Sequence, residues 1–185
     1  MNRWHLNQAV RVVKSGGVIA YPTEAVFGLG CLPENYQAVS KILELKHRSI
    51  NKGLILIAAD ILQIERYVIF PDEAVRQKII STWPGPVTWV LPARQHVPVW
   101  IRGSYDSVAV RVSNHALVRE LCSRTGPLIS TSANPANRSP AKSALKVMDY
   151  FGQSVDFILH GKTGSDRKPT EIRDAISGNI LRSGG

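Results

Sequence analysis

The chain has 185 residues and a mass of 20.4 kDa, the length of one globular domain that buries a core without metal or disulfide support. Its 23 Lys and Arg outnumber its 14 Asp and Glu, and the net charge of +9 favours a polyanionic partner such as a nucleotide, a nucleic acid or an anionic membrane face. No apolar stretch approaches the roughly 20 residues of a membrane span, and no histidine spacing fits zinc, so we exclude a transmembrane protein and expect no protein-bound zinc.

The positive charge is spread along the chain. Residues 1–60 hold 7 basic and 4 acidic residues, residues 61–120 hold 7 and 5, and residues 121–185 hold 9 and 5, which gives net charges of +3, +2 and +4. No block of Lys and Arg occurs, so any basic patch must be assembled by folding.

Two features indicate a cytoplasmic protein. Residues 1–13 lack the layout of a secretion signal. Cys31 and Cys122 lie far apart in sequence and form no C-x-x-C pair, so we expect both to be buried free thiols.

The hydrophobic pattern predicts helices that alternate with strands. The expected helices cover residues 8–15, 36–45, 61–67, 72–80, 115–123 and 139–151, with Asn7, Asn35 and Asn114 as N-caps of three of them. The expected strands cover residues 17–21, 54–59, 87–91, 107–112, 127–130, 155–159, 171–176 and 179–181. Continuous apolar strands between helices are typical of an α/β layer architecture with a largely covered sheet, here as a single domain over residues 1–185. Ligands of open α/β sheets gather beyond the carboxyl ends of strands, so we expect a site at the loops after Tyr21, Ala59, Val112 and Ser130.

Two glycine motifs suggest phosphate-binding loops but fail on spacing. Gly161-Lys162-Thr163 follows a strand, yet Asp156 stands where a phosphate loop needs its first glycine, and its carboxylate would repel phosphate. Gly28-Leu29-Gly30 begins like a dinucleotide fingerprint, but Pro33 occupies the position of the third glycine and a loop follows. No G-x-S-x-G run occurs, which leaves a serine hydrolase without its usual turn.

Lys46 and Arg48 follow the predicted helix 36–45. If the chain leaves this helix in an extended conformation, residues two apart point to the same side, and both cations can grip one polyphosphate. The alternative is that they only satisfy the carbonyl groups at the helix C-terminus. Spacing alone somewhat favours this alternative.

Arg111 interrupts the otherwise apolar strand 107–112. A charge there is costly unless it is paired or lies at the mouth of a site, so Arg111 either faces a ligand or forms a structural ion pair with Asp106 or Glu120. The hydroxyls and amide of residues 131–134 suit hydrogen bonds to phosphate or ribose, although such residues also form ordinary turns.

Taken in chain order, these features resemble one family. The matching runs are Tyr21-Pro22-Thr23-Glu24, Phe27-Gly28-Leu29-Gly30, Lys46-x-Arg48, Trp83-Pro84-Gly85-Pro86-Val87-Thr88, Ser107-Val108-Ala109-Val110-Arg111-Val112, Ser130-Thr131-Ser132-Ala133-Asn134, Pro169-Thr170-Glu171-Ile172-Arg173-Asp174 and Leu181-Arg182-x-Gly184. They are similar to the YrdC/TsaC family of L-threonylcarbamoyladenylate synthases, in its short single-domain bacterial form. The resemblance covers essentially the whole chain and implies a YrdC-like α/β fold: a twisted, largely covered mixed sheet flanked by helices, with a basic concave ligand site.

The resemblance implies a nucleotidyltransferase that converts L-threonine, bicarbonate and ATP into L-threonylcarbamoyl-AMP and pyrophosphate, with Mg²⁺ accompanying ATP. The amine of threonine is first carboxylated, and the carbamate oxygen then attacks the α-phosphorus while pyrophosphate leaves. Charge builds on phosphate oxygens in that step, so Lys, Arg and Mg²⁺ are the groups that the reaction needs. Partner proteins of a threonylcarbamoyl-transferase complex then move the group to adenosine 37 of tRNAs that read codons beginning with A.

The resemblance also implies roles for individual residues. Lys46 and Arg48 are the expected catalytic residues. The expected ATP-binding residues are Lys46, Arg48, Lys52, Ser107, Ser132, Asn134 and Arg182. The expected threonine-binding residues are Thr23, Arg111 and Thr170, with Arg111 pairing with the carboxylate, and no protein ligand is assigned to a metal.

Four positions depart from the family pattern. Ser49 stands where the family often has Pro, Ala136 where it has Ser, Asn137 where it has Gly, and Thr170 where Ser is usual. We expect Asn137 to adopt the left-handed conformation almost as Gly does.

A second class of function stays open on the sequence alone. The charge of +9 also fits a non-catalytic module that binds double-stranded RNA or ribosomal RNA precursors. An RNA module loses affinity steeply with salt, whereas a synthase performs threonine-dependent ATP chemistry. Both can hold, because a synthase with a basic concavity can also contact tRNA.

Overall fold

Nine strands form one sheet in the computed structural model, which describes residues 3–164 and 170–184. The strands are β1 (Ile19–Pro22), β2 (Phe27–Cys31), β3 (Ile55–Ala58), β4 (Val87–Pro92), β5 (Ser107–Val112), β6 (Leu128–Ser132), β7 (Phe157–Ile158), β8 (Glu171–Asp174) and β9 (Ile180–Arg182). The helices are α1 (Arg3–Lys14), α2 (Tyr36–Leu45), α3 (Ile61–Glu65), α4 (Glu73–Ile80), α5 (Val99–Arg102), α6 (Ala116–Thr125) and α7 (Ala144–Phe151). Short 3₁₀ turns cover Ile50–Lys52 and Gly152–Ser154.

The sheet is mixed, as the resemblance implies. Its strand order is β7-β1-β2-β6-β3-β5-β4-β8-β9. The pairs β1–β7, β3–β5 and β4–β8 are parallel, and the other neighbours are antiparallel. The strands therefore do not all end at one edge, and a site defined by carboxyl ends is not imposed by this topology.

The alternation of side chains along the strands gives the two faces different cover. On one face Val108, Val110 and Val112 of β5 join a large core that helices α2, α4 and α7 complete. On the other face Ile57 of β3 and Leu128 of β6 pack under α1 and α6 in a smaller core. Helices α1 and α6 cover only part of this second face, and the remainder is open.

The ends of several elements differ from the sequence prediction. Asn35 caps α2 as predicted, with its side chain accepting from the Ala38 amide. Asn7 is not a cap, because α1 begins earlier at Arg3 and the Asn7 side chain accepts from Arg124 of α6. The predicted Asn114 cap is also wrong, since His115 precedes α6. Helix α7 begins at Ala144, where the Ser143 hydroxyl accepts from the Lys146 amide.

Two elements were absent from the sequence prediction. Strand β2 lies in a stretch that was interpreted only as a failed fingerprint. Helix α5 has only four residues. The predicted strand 107–112 coincides with β5. The predicted strand 171–176 ends earlier, at Asp174, because the Asp174 carboxylate accepts from the amides of Ile176 and Ser177 in a turn.

Both cysteines are free and buried, which confirms that prediction. Across the described residues, none of the helices is long and apolar enough to cross a membrane.

Candidate functional site

A cavity of about 550 Å³ occupies the open part of the second sheet face. Its floor consists of residues that alternate along the strands, namely Ser107, Ala109 and Arg111 of β5 and Ile172 and Asp174 of β8. Its rim consists of Thr23 after β1, of Arg48 and residues 52–54, and of Arg102 and Tyr105 around α5. The predicted loops after Tyr21 and Ser130 contribute to the lining.

The other two loops that were expected at the site do not line it. The residues after Ala59 and Val112 are absent from the cavity lining of the described residues. The site lies over a face of the sheet instead of beyond its strand ends, because the mixed topology sends the strands in both directions.

Lys46 ties the end of α2 to the turn after β6. Its ammonium donates to the carbonyl oxygens of Ser132 at 2.6 Å and Asn134 at 2.8 Å, and lies 3.4 Å from Asn134 Oδ1. Burial, together with the neighbouring charge of Arg48, lowers the pKa of Lys46 to about 8. The interpretation of Lys46 as a cation for the helix C-terminus is therefore wrong.

Arg48 points away from the helix end as well. His47 has a left-handed φ of 48°, which turns the chain after Lys46. The Arg48 guanidinium donates to the carbonyl oxygen of Gly53 at 2.9 Å and lines the cavity. Burial lowers the pKa of Arg48, and its Nε atom is buried without a hydrogen-bond partner among the described residues. The predicted extended exit is thus replaced by a left-handed turn, yet Arg48 still lines the cavity.

The turn after β6 is held together by its own hydrogen bonds. Ser132 Oγ donates to Asn134 Oδ1 at 2.6 Å, and Asn134 Nδ2 donates to the carbonyl oxygens of Pro135 and Arg138. Asn137 has a φ of 61°, which confirms the left-handed conformation expected where the family has Gly. Ser132 lines the cavity, whereas the Asn134 side chain is occupied in holding the turn.

Arg111 belongs to a buried polar cluster at the end of the cavity nearest β1 and β8. One guanidinium nitrogen donates to Thr170 Oγ1, and another lies 3.3 Å from Glu24 Oε2. Its third nitrogen, Nε, is buried without a partner in the described part of the chain. The predicted ion pairs of Arg111 with Asp106 or Glu120 are wrong, because Glu24 takes that place and Asp106 lies 3.6 Å from Arg102.

Glu24 keeps its negative charge despite its position. Burial raises the pKa of its carboxyl group, but the Arg111 charge and a 2.5 Å hydrogen bond from Ser113 Oγ outweigh that effect, so the pKa lies below its usual range. The cavity therefore contains an arginine whose guanidinium forms an ion pair with Glu24 and is held in place by that pair and by Thr170.

The remaining predicted residues lie around this cluster. Thr23 donates its hydroxyl to the Val26 carbonyl oxygen at 2.7 Å within its own turn and lines the cavity. Arg182 donates to the Thr170 carbonyl oxygen at 2.7 Å, and burial followed by the repulsion of Arg111 lowers its pKa. Ser107 and Lys52 line the cavity. Pro169 of the predicted motif lies outside the described residues.

Sequence reasoning missed four residues at this site. Arg102 and Tyr105 line the cavity, and Glu24 and Ser113 hold Arg111 from behind. A signal was present for Glu24 and Ser113, because each is a polar residue within two positions of the end of an apolar strand. No local pattern marks Arg102 or Tyr105.

The comparisons with known proteins give the family. The model of the Sua5/YciO/YrdC family, which carries the description telomere recombination, matches residues 11–184. The chain belongs to this family. The resemblance seen in the sequence motifs is therefore confirmed.

Relatives in the Sua5/YciO/YrdC family are similar over nearly their full length. The protein named threonylcarbamoyl-AMP synthase of Nitrosococcus oceani is 53% identical over 97% of both chains. A protein of the same name in Pseudomonas fluorescens is 49% identical over 98% of both chains.

Solved structures confirm the expected fold. The structure of P. abyssi Sua5 complexed with L-threonine matches 100% of this chain with a TM-score of 0.93 and 30% identity, and the present chain spans 55% of that protein. E. coli YciO matches 99% of this chain with a TM-score of 0.85 and 26% identity, over 90% of its own length.

One departure from the family pattern has a local structural role. Ser49, where the family often has Pro, caps the 3₁₀ turn Ile50–Lys52 by accepting from the Asn51 amide. A serine thus orders the segment that leads from Arg48 to Gly53.

Proposed function

We propose that this protein is a threonylcarbamoyl-AMP synthase, an enzyme that uses ATP to join L-threonine and bicarbonate into L-threonylcarbamoyl-AMP with release of pyrophosphate. The observation that carries the proposal is one cavity with two kinds of polar lining. Arg48 and Lys52 lie on its rim and suit a polyphosphate, whereas Arg111 with Thr170 suits an amino-acid carboxylate and hydroxyl. The names of relatives at 49% and 53% identity support the same assignment.

On the nucleotide side, the roles rest on charge and preorganisation. Arg48 and Lys52 bind the triphosphate, and Ser107, Ser132 and Arg182 contact the nucleotide. Lys46 supplies positive charge beside the phosphates, and with Asn134 it fixes the turn that presents Ser132. The attack of the carbamate oxygen on the α-phosphorus spreads negative charge over phosphate oxygens, which these fixed cations stabilise. The enzyme is on this basis a nucleotidyltransferase, with Lys46 and Arg48 as its catalytic residues.

On the amino-acid side, Arg111 receives the carboxylate of threonine. Arg111 lines the cavity, and its guanidinium suits a carboxylate. Thr23 and Thr170 lie at the same end of the cavity and contact the substrate, with Thr170 held by Arg111 through its hydroxyl and by Arg182 through its carbonyl oxygen. The structure of a relative with L-threonine supports an amino-acid site in this fold.

Mg²⁺ enters as part of the MgATP substrate. The described residues contain no group of three or more His, Cys, Asp or Glu side chains arranged for a metal ion. We propose that phosphate oxygens supply the principal ligands of the ion, and we assign no protein side chain to it.

Omission of single substrates tests the proposal. The purified protein is incubated with MgATP, L-threonine and bicarbonate, and pyrophosphate release is measured. We expect release only when all three are present, because the carbamate that attacks ATP forms from threonine and bicarbonate. Release that persists without threonine would identify a different ATP-cleaving activity.

The product has a defined place in tRNA modification. It is the activated donor from which partner proteins of a threonylcarbamoyl-transferase complex modify adenosine 37 of tRNAs that read codons beginning with A. We therefore propose a cytoplasmic location, where such partners and their tRNAs are found.

A second contact, with tRNA or double-stranded RNA, is favoured by one observation. Helices α1 and α6 together carry five basic residues and one acidic residue, so they hold +4 of the net charge of +9. The five cations are exposed and, among the described residues, none lies within ion-pair distance of a carboxylate: Arg3, Arg11, Lys14, Arg119 and Arg124. We name this surface the α1–α6 face and propose that it contacts the phosphate backbone of RNA.

A further inference from the structure

Ser113 is a fully buried residue directly after β5 with two fixed hydrogen bonds. Its hydroxyl oxygen accepts from the His115 amide at 3.1 Å, at the start of α6. The same hydroxyl donates to Glu24 Oε1 at 2.5 Å. Ser113 is not part of the cavity lining, so its hydroxyl influences a ligand indirectly, and Glu24 is the side chain to which it donates.

Glu24 divides its two carboxylate oxygens between Ser113 and Arg111. Oε1 accepts the short bond from Ser113, and Oε2 lies 3.3 Å from an Arg111 nitrogen. A hydrogen bond at 2.5 Å is much more directional than a contact at 3.3 Å, so the orientation of the carboxylate follows Ser113. Both charged partners are buried, with exposed fractions of 7% for Glu24 and 6% for Arg111.

We propose that Ser113 is a positioning residue, which sets the orientation of Arg111 through Glu24 and so determines how well the site binds the carboxylate of its amino-acid substrate. This inference rests on the proposed function, in which Arg111 receives that carboxylate. Thr170 restrains one end of the guanidinium and Glu24 restrains another, and Arg111 lines the cavity that receives the ligand. Loss of Ser113 frees the Glu24 carboxylate to rotate, and Arg111 loses one of its two restraints.

The test compares the fully buried Ser113 with an exposed helix-capping serine outside the site. Ser113→Ala and Ser143→Ala each remove a hydroxyl that accepts from a backbone amide at the start of a helix, but only Ser113 also donates to Glu24. We expect Ser113→Ala to raise KM for threonine about tenfold, the loss expected for one weakened charged hydrogen bond, with kcat and KM for ATP within about twofold of wild type. Ser143→Ala should leave all three constants unchanged. Equal KM values for threonine in the two variants would overturn the proposal.

The pH profile gives a readout that a structural role alone does not change. The titratable groups that face Glu24 are Arg111 from β5, Tyr21 from β1, His115 at the start of α6 and Cys122 within α6. Burial raises the pKa of Glu24, whereas Arg111 and then Ser113 lower it. Removal of Ser113 therefore moves the acid limb of kcat/KM for threonine to higher pH. An unmoved acid limb would contradict the proposal.

Two further measurements keep the outcome clear. If Ser113→Ala fails to fold, as judged by circular dichroism, Ser113→Cys retains the volume with a weak thiol donor, and we expect an increase in KM for threonine in the same direction. If the wild type releases no pyrophosphate, the proposed function fails. Calorimetric titration of threonine into wild type and Ser113→Ala then still tests the positioning role, and equal dissociation constants would overturn it.

Discussion

Lys46 and Arg48 are two residues apart in sequence but hold different parts of the site. The Lys46 ammonium donates to two carbonyl oxygens of the turn after β6. The Arg48 guanidinium donates to the Gly53 carbonyl oxygen on the rim of the cavity. The left-handed φ of His47 between them separates the two directions. Lys46 thus shapes the cavity through the turn that presents Ser132, Arg48 lines it directly, and in the proposed function both supply charge for a polyphosphate.

Replacement of either cation should stop the reaction while leaving the fold intact. For Lys46→Ala and Arg48→Ala we expect threonine-dependent pyrophosphate release to fall by at least about 100-fold, because each removes a fixed charge that stabilises the transition state. Lys41→Ala is the matched control, on helix α2 just before these two cations. It breaks only a half-exposed ion pair with Asp156 and should leave the rate unchanged. Full activity in both Lys46→Ala and Arg48→Ala would contradict the assignment of these residues.

The rate should also depend on pH through Lys46. Since the pKa of its ammonium group is about 8, the free enzyme loses this charge as the pH rises above 8, and kcat/KM for ATP should fall. At saturating ATP the bound triphosphate stabilises the ammonium, so the alkaline limb of kcat should lie at higher pH. The effect on stability has the opposite sign: the folded pKa lies below the ordinary value of about 10.4, so this group makes the protein more stable as the pH rises between those two values. A kcat/KM for ATP that is flat from about pH 7 to 9 would contradict the role of Lys46.

At the scale of elements, the rim of the cavity depends on the contact between the 3₁₀ turn Ile50–Lys52 and helix α5. The Leu54 amide donates to the carbonyl oxygen of Ile101 at 2.8 Å, and the Ser104 amide donates to the carbonyl oxygen of Asn51 at 3.1 Å. Gly103 lies where the two backbones meet, with a φ of 69°, and a Cβ atom there would lie 2.4 Å from the Gly53 nitrogen. This contact fixes the acceptor of Arg48 and the position of Lys52.

Gly103→Ala should consequently weaken ATP binding as well as stability. The φ of 69° combined with a ψ of −145° costs a residue with a side chain about 1–3 kcal/mol, and the backbone clash adds to that cost. Gly126→Ala is the control, because Gly126 has a φ of 88° but nothing lies within 4 Å of its Cβ position. We expect both variants to lose thermal stability and only Gly103→Ala to raise KM for ATP by several-fold. An equal KM in the two variants would show that this contact does not shape the nucleotide site.

The elements were predictable where local pattern determines them. Strand β5 was predicted with its observed bounds because its run of valines offers no competing helical pattern. Strand β2 was missed because Gly28 and Gly30 weaken its strand signal, and the reason for glycine is a distant contact: a Cβ atom at Gly30 would lie 2.7 Å from Tyr21 Cε1. The partners of Lys46 and Arg111 were equally hidden, because Asn134 and Glu24 lie 88 and 87 residues away in sequence. The motif order gave the set of site residues, but not their contacts.

At the scale of the whole molecule, one face of the sheet is divided between two uses. Helices α1 and α6 cover one part of it with the smaller core, and the open part forms the cavity. The net charge is divided in the same way: a few cations line the cavity, and five others lie on the α1–α6 face. The even spread of charge along the sequence thus becomes two distinct basic regions after folding.

The α1–α6 face should contribute to the salt dependence of RNA binding. Each phosphate contact that is lost reduces the slope of log affinity against log salt by about 0.9 on duplex RNA, if it behaves as duplex DNA does. The variant that combines Arg11→Ala with Arg119→Ala should therefore bind a duplex RNA with a salt slope that is reduced by about twice this amount. Its pyrophosphate release should stay at the wild-type rate. The control is Lys142→Ala, an exposed cation outside this face. Unchanged RNA affinity in the double variant would remove the proposed contact without affecting the synthase assignment.

The most direct test of the central claim is a search for the product itself. The protein is incubated with MgATP, L-threonine and isotopically labelled bicarbonate, and the quenched mixture is separated by chromatography with mass detection. The account predicts a labelled threonylcarbamoyl adenylate in wild type, absent when threonine is omitted and absent in Arg48→Ala. Pyrophosphate release without label in any adenylate would contradict it.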